Sequence, residues 1–502
     1  MPPTIDARQL PDQTSLSTDI CIVGAGAVGI AIAMQLKNTS HQVSLIESGD
    51  LSLDDATQSL YDFENVGYPI RETSPSRLRY FGGTTNIWTG RCLPLDSIDF
   101  TTRDWVANSG WPIDHATLTP YYERAAPLFR LPHYQQINAD FWSQKSPYRD
   151  EQQVFSSPKL SPVVSLRGRT SLNFRTAYLQ DLKQAANIQI YVNANVTEID
   201  AAENLATVHR LQLVCLNGVQ FTIKAKAYIL ACGGLENARI LLLSRHQNAA
   251  GLGNQHDVVG RYYMDHPKVE HGTLKIKNPQ FNAPLLFGYR TLQGTTQFGI
   301  RLSDDVQRRK RLLNHYVLLQ PQFIQDGTVS PQGSGPWPKL RYFYRKLTQK
   351  PLRFDHVLIK NYLEQVPRWE SRVTLSRQSD RLGLNQLQLN WQVGPQEIQD
   401  LHQFHVILKQ CFATQNIGEI QEIAPSQNQE SLQFLNAFHH LGTTRMSHRP
   451  HDGVVDRNCQ VHGIQNLFIA GTSVFPTGGY ANPTFTAAAL ALRLADHLRS
   501  TL

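Results

Sequence analysis

The sequence predicts an α/β protein in which a Rossmann-like domain is interleaved with a second domain built on an antiparallel sheet. Three observations carry this. Near the start, the short apolar strand Asp19-Ile20-Cys21-Ile22-Val23 runs into Gly24-Ala25-Gly26-Ala27-Val28-Gly29 and then into an apolar helix from Ile30 to Leu36. In the middle, Arg372–Leu375 and Asn385–Val393 alternate apolar and polar residues, as half-exposed antiparallel strands do. At the end, Ala487, Ala488, Leu490, Ala491, Leu492, Leu494, Ala495 and Leu498 mark one long helix.

The first element is the most specific. The strand–GxGxxG–helix unit is followed by a second strand, Val43-Ser44-Leu45-Ile46, that closes on Glu47. Gly24, Gly26 and Gly29 suit a tight turn that lets backbone approach a pyrophosphate, and an acid about 20 residues on suits a ribose hydroxyl. A glutamate there repels a 2′-phosphate, which leaves FAD or NAD. Further along, Ile188–Val192 and Tyr228–Ala231 read as strands of the same domain. For the last helix, Asn482 suits the N-cap and Pro483 the first helical position. Free N–H groups from Asn482 to Thr484, at the positive end of the dipole, would favour negative charge on a bound ring. An ordinary capped helix fits that segment equally.

Composition narrows the class. A chain of 502 residues, 41% hydrophobic and 18% charged, matches a globular enzyme of two or three domains. No apolar run reaches membrane-spanning length, and Met1 to Thr18 lacks a signal-peptide core. The six cysteines (21, 92, 215, 232, 411 and 459) lack CxxC spacing, which points to reduced thiols and a cytoplasmic protein. No zinc-like cluster is visible; His402 and His405, three apart on a predicted helix, read as surface or packing residues, and no metal is expected. The net charge of +7 is concentrated: residues 301–360 hold twelve Lys/Arg against four Asp/Glu. Within them, Trp337–Leu347 mixes aromatics with cations, read either as a solvated basic face or as a peripheral contact for anionic lipid or an acidic partner. Nucleic-acid motifs are lacking. The Gly/Pro/Ser-rich stretch Asp326–Pro338 reads as a loop or lid.

Several further segments share an order with one known family. These are Arg79–Trp88 (Arg-Tyr-Phe-Gly-Gly-Thr-Thr-Asn-Ile-Trp), Ala227–Asn237, Val259–Pro267 (with Met264-Asp265-His266-Pro267) and Ser371–Leu375. His439-His440-Leu441-Gly442-Thr443, Ile469–Pro476 and Tyr480–Thr484 complete the set. With the N-terminal fingerprint, the chain resembles the glucose–methanol–choline (GMC) oxidoreductases over nearly its whole length. Its tail most resembles the sugar-oxidising branch that includes fructose dehydrogenase and pyranose oxidase.

The resemblance implies FAD and oxidation of a CH–OH group, most simply a secondary hydroxyl of a sugar or glycoside, with hydride passing to flavin N5. It places His439 as the base that takes the hydroxyl proton, with His440 as its competitor. Asn482 would hydrogen-bond the substrate oxygen. Gly82, Gly83, Thr84 and Asn86 would line the flavin, together with Val196, Gly471, Thr472, Pro483 and Thr484. Gly471-Thr472 replaces the family's Asp-Gly pair, which puts one flavin contact in doubt. Ile87 stands before Trp88 where covalently flavinylated relatives carry histidine, so FAD should be non-covalent. Trp88, Glu364 and Gln365 are further substrate-pocket candidates. The electron acceptor is open among oxygen, a quinone and a protein. Two other readings stand beside this one: oxidation of a sterol or long-chain alcohol, and a non-oxidative flavin fold (photodecarboxylase, lyase or lipid-protein escort). The implied division is 15–105, 171–265 and 433–502 for the FAD domain, 106–170 as a connecting or lid segment, and 266–432 for the substrate domain.

Overall fold

A computed structural model describes residues 4–70, 76–146, 150–168, 171–278, 281, 283–290, 294–325, 328–330, 356–422 and 432–502. The Asp326–Pro338 loop and the aromatic-cationic Trp337–Leu347 segment thus lie outside the described residues, apart from the short strand Thr328–Ser330.

The first layer is an eight-stranded sheet. Its parallel core runs Ile5–Asp6, Ile188–Val192, Val43–Ile46, Thr14–Val23 and Gln220–Leu230, with Leu467–Ile469 beside the last. Val208–Val214 and Asn195–Ala201 extend it in antiparallel fashion. The central strands are buried on both faces. Val43–Ile46 is buried throughout, and so is Ile20–Val23 of the strand Thr14–Val23. Helices Ala27–Leu36 and Thr484–Thr501 pack against each other on one side, and their small residues (Ala31, Ala33, Ala488, Ala491, Ala495) are fully buried or nearly so. This explains the alanine content of both segments.

The second layer is a nine-stranded antiparallel sheet: Gly418–Gln421, Lys268–Ile276, His356–Tyr362, Tyr316–Gln325, Gly294–Leu302, Leu160–Gly168 and Arg91–Cys92 form its path. A separate apolar core of Phe298, Ile300, Phe404, Leu408 and Phe412 joins its face to helix Pro395–Thr414. The interleaving is deeper than the sequence suggests. Residues 106–170 are more than a connector, since Leu160–Gly168 pairs with Gly294–Leu302 over nine residues. Arg91–Cys92, placed by sequence in the first domain, also joins this sheet. Conversely, Arg372–Ser379 and Asn385–Asn390 form a small third sheet with Phe63–Asn65. The chain crosses from layer to layer at Asp265–Lys268, so the residues at that crossing face both. No described helix is long and apolar enough to cross a membrane.

Candidate active site

The turn after Val23 opens the site. Gly24 has φ +102, and a Cβ there would sit 2.6 Å from the Ala231 carbonyl oxygen, so only glycine lets the turn dock on the neighbouring strand end. Glu47, at the end of the next strand, is buried; it accepts N–H bonds from Ala25 (2.8 Å) and Gly49 (3.1 Å). Burial pushes its carboxyl pKa up, against those two bonds.

One long cavity of about 1340 Å³, partly open to solvent, starts at this turn. Gly24, Gly26, Glu47 and Val196 line it at one end; Gly83, Thr84, Trp88, Gly471, Thr472, Pro483, Thr484, His439 and His440 also line it. Gly26 aims its missing side chain into open space, with nothing within 4 Å of an added Cβ. The open space beside Gly26 suits the close approach of a pyrophosphate. The sequence also missed a cationic patch in the wall. Arg77 and Arg79 each lie 3.4 Å from Glu236, and both guanidinium groups stack on Tyr61. Burial of Glu236 opposes its ionisation, but Arg239, Arg79 and Arg77 outweigh it and lower the pKa.

Gly29, Gly82 and Asn86 shape the cavity without lining it, and Thr472 does both. Gly29 packs the helix on the turn, where an added Cβ would meet the Gly24 carbonyl oxygen at 1.9 Å. Gly82 (φ +93) donates its N–H to Ala25. Asn86 folds back to donate to the carbonyls of Phe81 (3.1 Å) and Gly83 (2.7 Å), bracing the loop. Thr472 spends its hydroxyl on the His440 carbonyl (2.6 Å).

Asn482 does not cap the helix. Pro483 occupies the N-cap position of Thr484–Thr501, and the Asn482 amide nitrogen lies instead 3.1 Å from His439 Nε2. His439 Nδ1 lies 2.7 Å from His266 Nδ1, and His266 Nε2 lies 3.3 Å from the Gly478 carbonyl oxygen. The protons follow from the endpoint, because a carbonyl only accepts. His266 donates from Nε2 to Gly478; its Nδ1 therefore accepts from His439 Nδ1–H, leaving His439 Nε2 with a lone pair that meets the Asn482 N–H. Burial, followed by the nearby His266 and Lys268, holds His439 well below the ordinary histidine range; burial brings His266 to about 4. Both rings are neutral near pH 7.

Asp265 holds this pair from behind. Its Oδ1 accepts from the N–H groups of His266 (2.6 Å), His439 (3.0 Å) and Ala437 (3.1 Å), and its Oδ2 from Phe438 (3.1 Å). Burial raises its carboxyl to about 6 against those donors. Sequence reading recorded Asp265-His266-Pro267 as a matching motif but gave neither side chain a role.

Glu364 and Gln365 do not reach the cavity. Glu364 is fully buried against Arg103, at 2.8 and 2.5 Å, and accepts from the Asn314 N–H. Gln365 Oε1 accepts from the Asp265 N–H and from Trp391 Nε1, both at 2.9 Å. Both brace the layer behind the histidines, because their strand ends on the far side of Pro267. His440 lines the cavity beside Arg77 and is brought to about 3, by burial first and Arg77 second. In the described part of 301–360, Arg301 pairs with Asp96 and Asp304, Arg309 with Asp305, Arg311 with Asp104 and Lys360 with Glu270. Much of the local basic excess is thus internally neutralised there.

A dinucleotide-binding cavity shared with a neutral, tautomer-fixed histidine defines a flavin-dependent oxidoreductase of alcohols. Residues 367–491 match the family model described as GMC oxidoreductase. The chain is 22% identical to 2-methyl-1,2-propanediol dehydrogenase of Mycolicibacterium austroafricanum, covering 96% of this chain and 95% of the relative. It is 26% identical to the fructose dehydrogenase large subunit of Gluconobacter japonicus over 56% of this chain and 48% of that one. A crystal structure of formate oxidase shares the fold, with a TM-score of 0.62 and 17% identity over 98% of this chain and 99% of that one. Residues 367–491 thus match the GMC oxidoreductases, and the chain shares their fold, a similarity that points to FAD as the cofactor.

Proposed function

We propose that the protein oxidises a secondary hydroxyl of a sugar or glycoside, with FAD held non-covalently, and that His439 is the base. The observation that carries this reading is the lone pair on His439 Nε2, set 3.1 Å from the Asn482 amide beside the dinucleotide cavity. An alcohol entering there donates its O–H to His439 Nε2 and accepts from Asn482 Nδ2, two bonds that together fix the orientation of its C–H. FAD, when bound, would supply the hydride acceptor. A histidine this reluctant to hold a proton stays in its basic form throughout the neutral range. His266 accepts the Nδ1–H of His439 and keeps the lone pair on the substrate side. Asn482 has no basic nitrogen and can only orient.

The sugar preference is supported by the similarity to the fructose dehydrogenase large subunit, and by a wall that offers Arg77, Arg79, Ser48, Ser76 and Thr84 beside its apolar surface. Non-covalent attachment is supported by Ile87, which offers no nucleophile before Trp88. Six unpaired cysteines, five of them buried, support a reducing, cytoplasmic setting. The acceptor is oxygen, a quinone or a protein.

The test is anaerobic bleaching of the flavin by a panel of sugars, glycosides, sterols and long-chain alcohols, with wild type and His439→Ala. A sugar or glycoside should bleach wild type quickly, and the variant should retain flavin but reduce it at least about 100-fold more slowly. Near-normal reduction by His439→Ala would move the base to His440. Bleaching by sterols alone would overturn the sugar assignment. Admitting air afterwards distinguishes oxygen from the other acceptors, and acid precipitation should release all the flavin.

A further inference from the structure

Away from the flavin cavity, at the edge of the antiparallel sheet, three chain segments bring nitrogen and oxygen ligands together. His271 lies on the strand Lys268–Ile276, where the register with His356–Tyr362 slips between Glu270 and Thr273. His271 keeps the inward alternation of Val269, with Glu270 exposed between them, and Gly272 at φ +110 follows within the slip. His402 projects from helix Pro395–Thr414, and Glu422 follows the edge strand Gly418–Gln421. One ligand atom from each lies within 4.8 Å of the other two, and His271 Nε2 is 3.9 Å from Glu422 Oε2.

His271 gives the cluster its meaning. It is only 3% exposed, and neither ring nitrogen has a hydrogen-bond partner among the described residues. An imidazole buried with both nitrogens unmatched is costly unless something else coordinates it. Beside it, His405 repeats the pattern. Its Nε2 lies 2.7 Å from Asn361 Oδ1, while Asn361 Nδ2 donates to the Val269 carbonyl, so Oδ1 is the accepting end and His405 Nε2 carries the proton. Among the described residues the His405 Nδ1 lone pair is then also buried without a partner, in a ring centred 4.9 Å from that of His271. Burial favours the neutral form of both rings, the form that ligates metal.

We propose that His271, His402 and Glu422 form a site for a divalent transition metal of zinc type, with a fourth position left for water or for His405 Nδ1. Two imidazoles and one carboxylate are a ligand set that zinc accepts at bond lengths of about 2.0–2.2 Å. Ligand atoms in such a tetrahedron stand about 3.4 Å apart, so the present spacing must contract. His402 and Glu422 are exposed and free to turn inward, whereas His271 is fixed by burial. The metal would clamp the edge strand and the helix onto Lys268–Ile276, the strand that begins two residues after His266. This revises the expectation that no metal binds. Spacing along the chain could not show it, since the ligands are 131 and 20 residues apart.

The test uses FAD-loaded protein stripped with chelator and titrated with ZnCl₂, followed by calorimetry and thermal unfolding, with MgCl₂ as the control for non-specific divalent binding. One zinc per chain should bind and raise Tm, and magnesium should do neither. Cobalt(II) in place of zinc should give visible bands at wavelengths beyond the flavin absorption, as four-coordinate nitrogen–oxygen sites do. His402→Ala and Glu422→Gln should each weaken zinc binding at least about 10-fold, with flavin content and metal-free Tm unchanged because both side chains are exposed. The proposal is overturned if zinc binds the double variant as tightly as wild type, or if magnesium reproduces the stabilisation.

Discussion

Replacing His266 by alanine should slow substrate-driven flavin reduction by about 10- to 100-fold without releasing FAD. The variant keeps His439 and Asn482 but removes the acceptor 2.7 Å from His439 Nδ1. The ring then has two options. It can keep its proton on Nδ1, leaving a buried donor unmatched at a cost of about 1–3 kcal/mol. Or it can move the proton to Nε2, which abolishes the lone pair that must receive the substrate proton. The cost of the first option favours the second, so the reactive Nδ1–H tautomer becomes the minor species, and about 1.4–2.7 kcal/mol corresponds to 10- to 100-fold in rate. Asparagine provides the control, because its Oδ1 falls near the position of the imidazole Nδ1 and can accept the same proton. His266→Asn should therefore lie within a few-fold of wild type. The assay is anaerobic stopped-flow reduction at saturating substrate, with flavin content and Tm measured in parallel. If His266→Ala reduces within about two-fold of wild type, or if asparagine is no better than alanine, His266 does not set the tautomer.

The pH dependence of stability follows from the buried histidines. Burial lowers His266 and His315 to about 4 and His440 to about 3. Between those values and an unfolded pKa of about 6.5, the unfolded chain binds protons that the native chain does not. Stability is therefore fully present above about pH 6.5 and lost as pH falls toward 4, by up to about 1.4 kcal/mol per pH unit per group; a flat Tm from pH 7 to 5 would refute it. Asp99 acts with the opposite sign: burial, Glu364 and Asp96 raise it to about 8, so its contribution is present at low pH and fades as pH rises to about 8. Together they place the stability maximum near neutrality. Arg103→Met strands Glu364 as a buried unpaired charge and should cost about 3–5 kcal/mol in denaturant unfolding. A second change, Glu364→Leu, should recover most of it. Gly26→Ala should fold normally yet lose FAD affinity, since the new methyl points into the cavity. Gly29→Ala, which drives a methyl into the Gly24 carbonyl, should instead lower the yield of folded protein. Flavin-to-protein ratios and Tm separate the two.

What was legible in the sequence was local chemistry. The Gly24–Glu47 unit is contained in one stretch of backbone, and its turn and acid fall where the pattern requires. Asn482 was read as an N-cap because residue type and an adjacent proline suffice for that inference. The structure gives the cap position to Pro483 because the amide is taken by His439, a tertiary partner 43 residues away. Glu364 and Gln365 were misplaced for the same reason. Sequence shows that a polar pair precedes a strand, and only packing shows that Arg103, 261 residues away, meets the glutamate. His266 was visible as a motif residue but mute, since its contact with His439 spans 173 residues. The alternating strands at Arg372 and Asn385 were legible, yet they pair in the small third sheet, and the make-up of the nine-stranded sheet, with Leu160–Gly168 and Arg91–Cys92, depended on long-range pairing.

Asp265 is the carboxylate nearest to the catalytic pair, and its hydrogen bonds decide against it as the base. Four backbone N–H groups converge on its oxygens, three of them on Oδ1. To accept a substrate proton, the carboxylate would have to give up at least one of these donors and leave it buried and unmatched. Its raised pKa does not alter this, because burial produces the shift while the donors oppose it. The same bonds hold the 437–439 turn, in which Phe438 adopts φ +61, a backbone conformation few non-glycine residues take. Asp265 thus converts the cost of a buried charge into the placement of one backbone nitrogen, that of His439. The proposed proton-accepting role therefore goes to His439 Nε2, whose lone pair meets only the side-chain amide of Asn482.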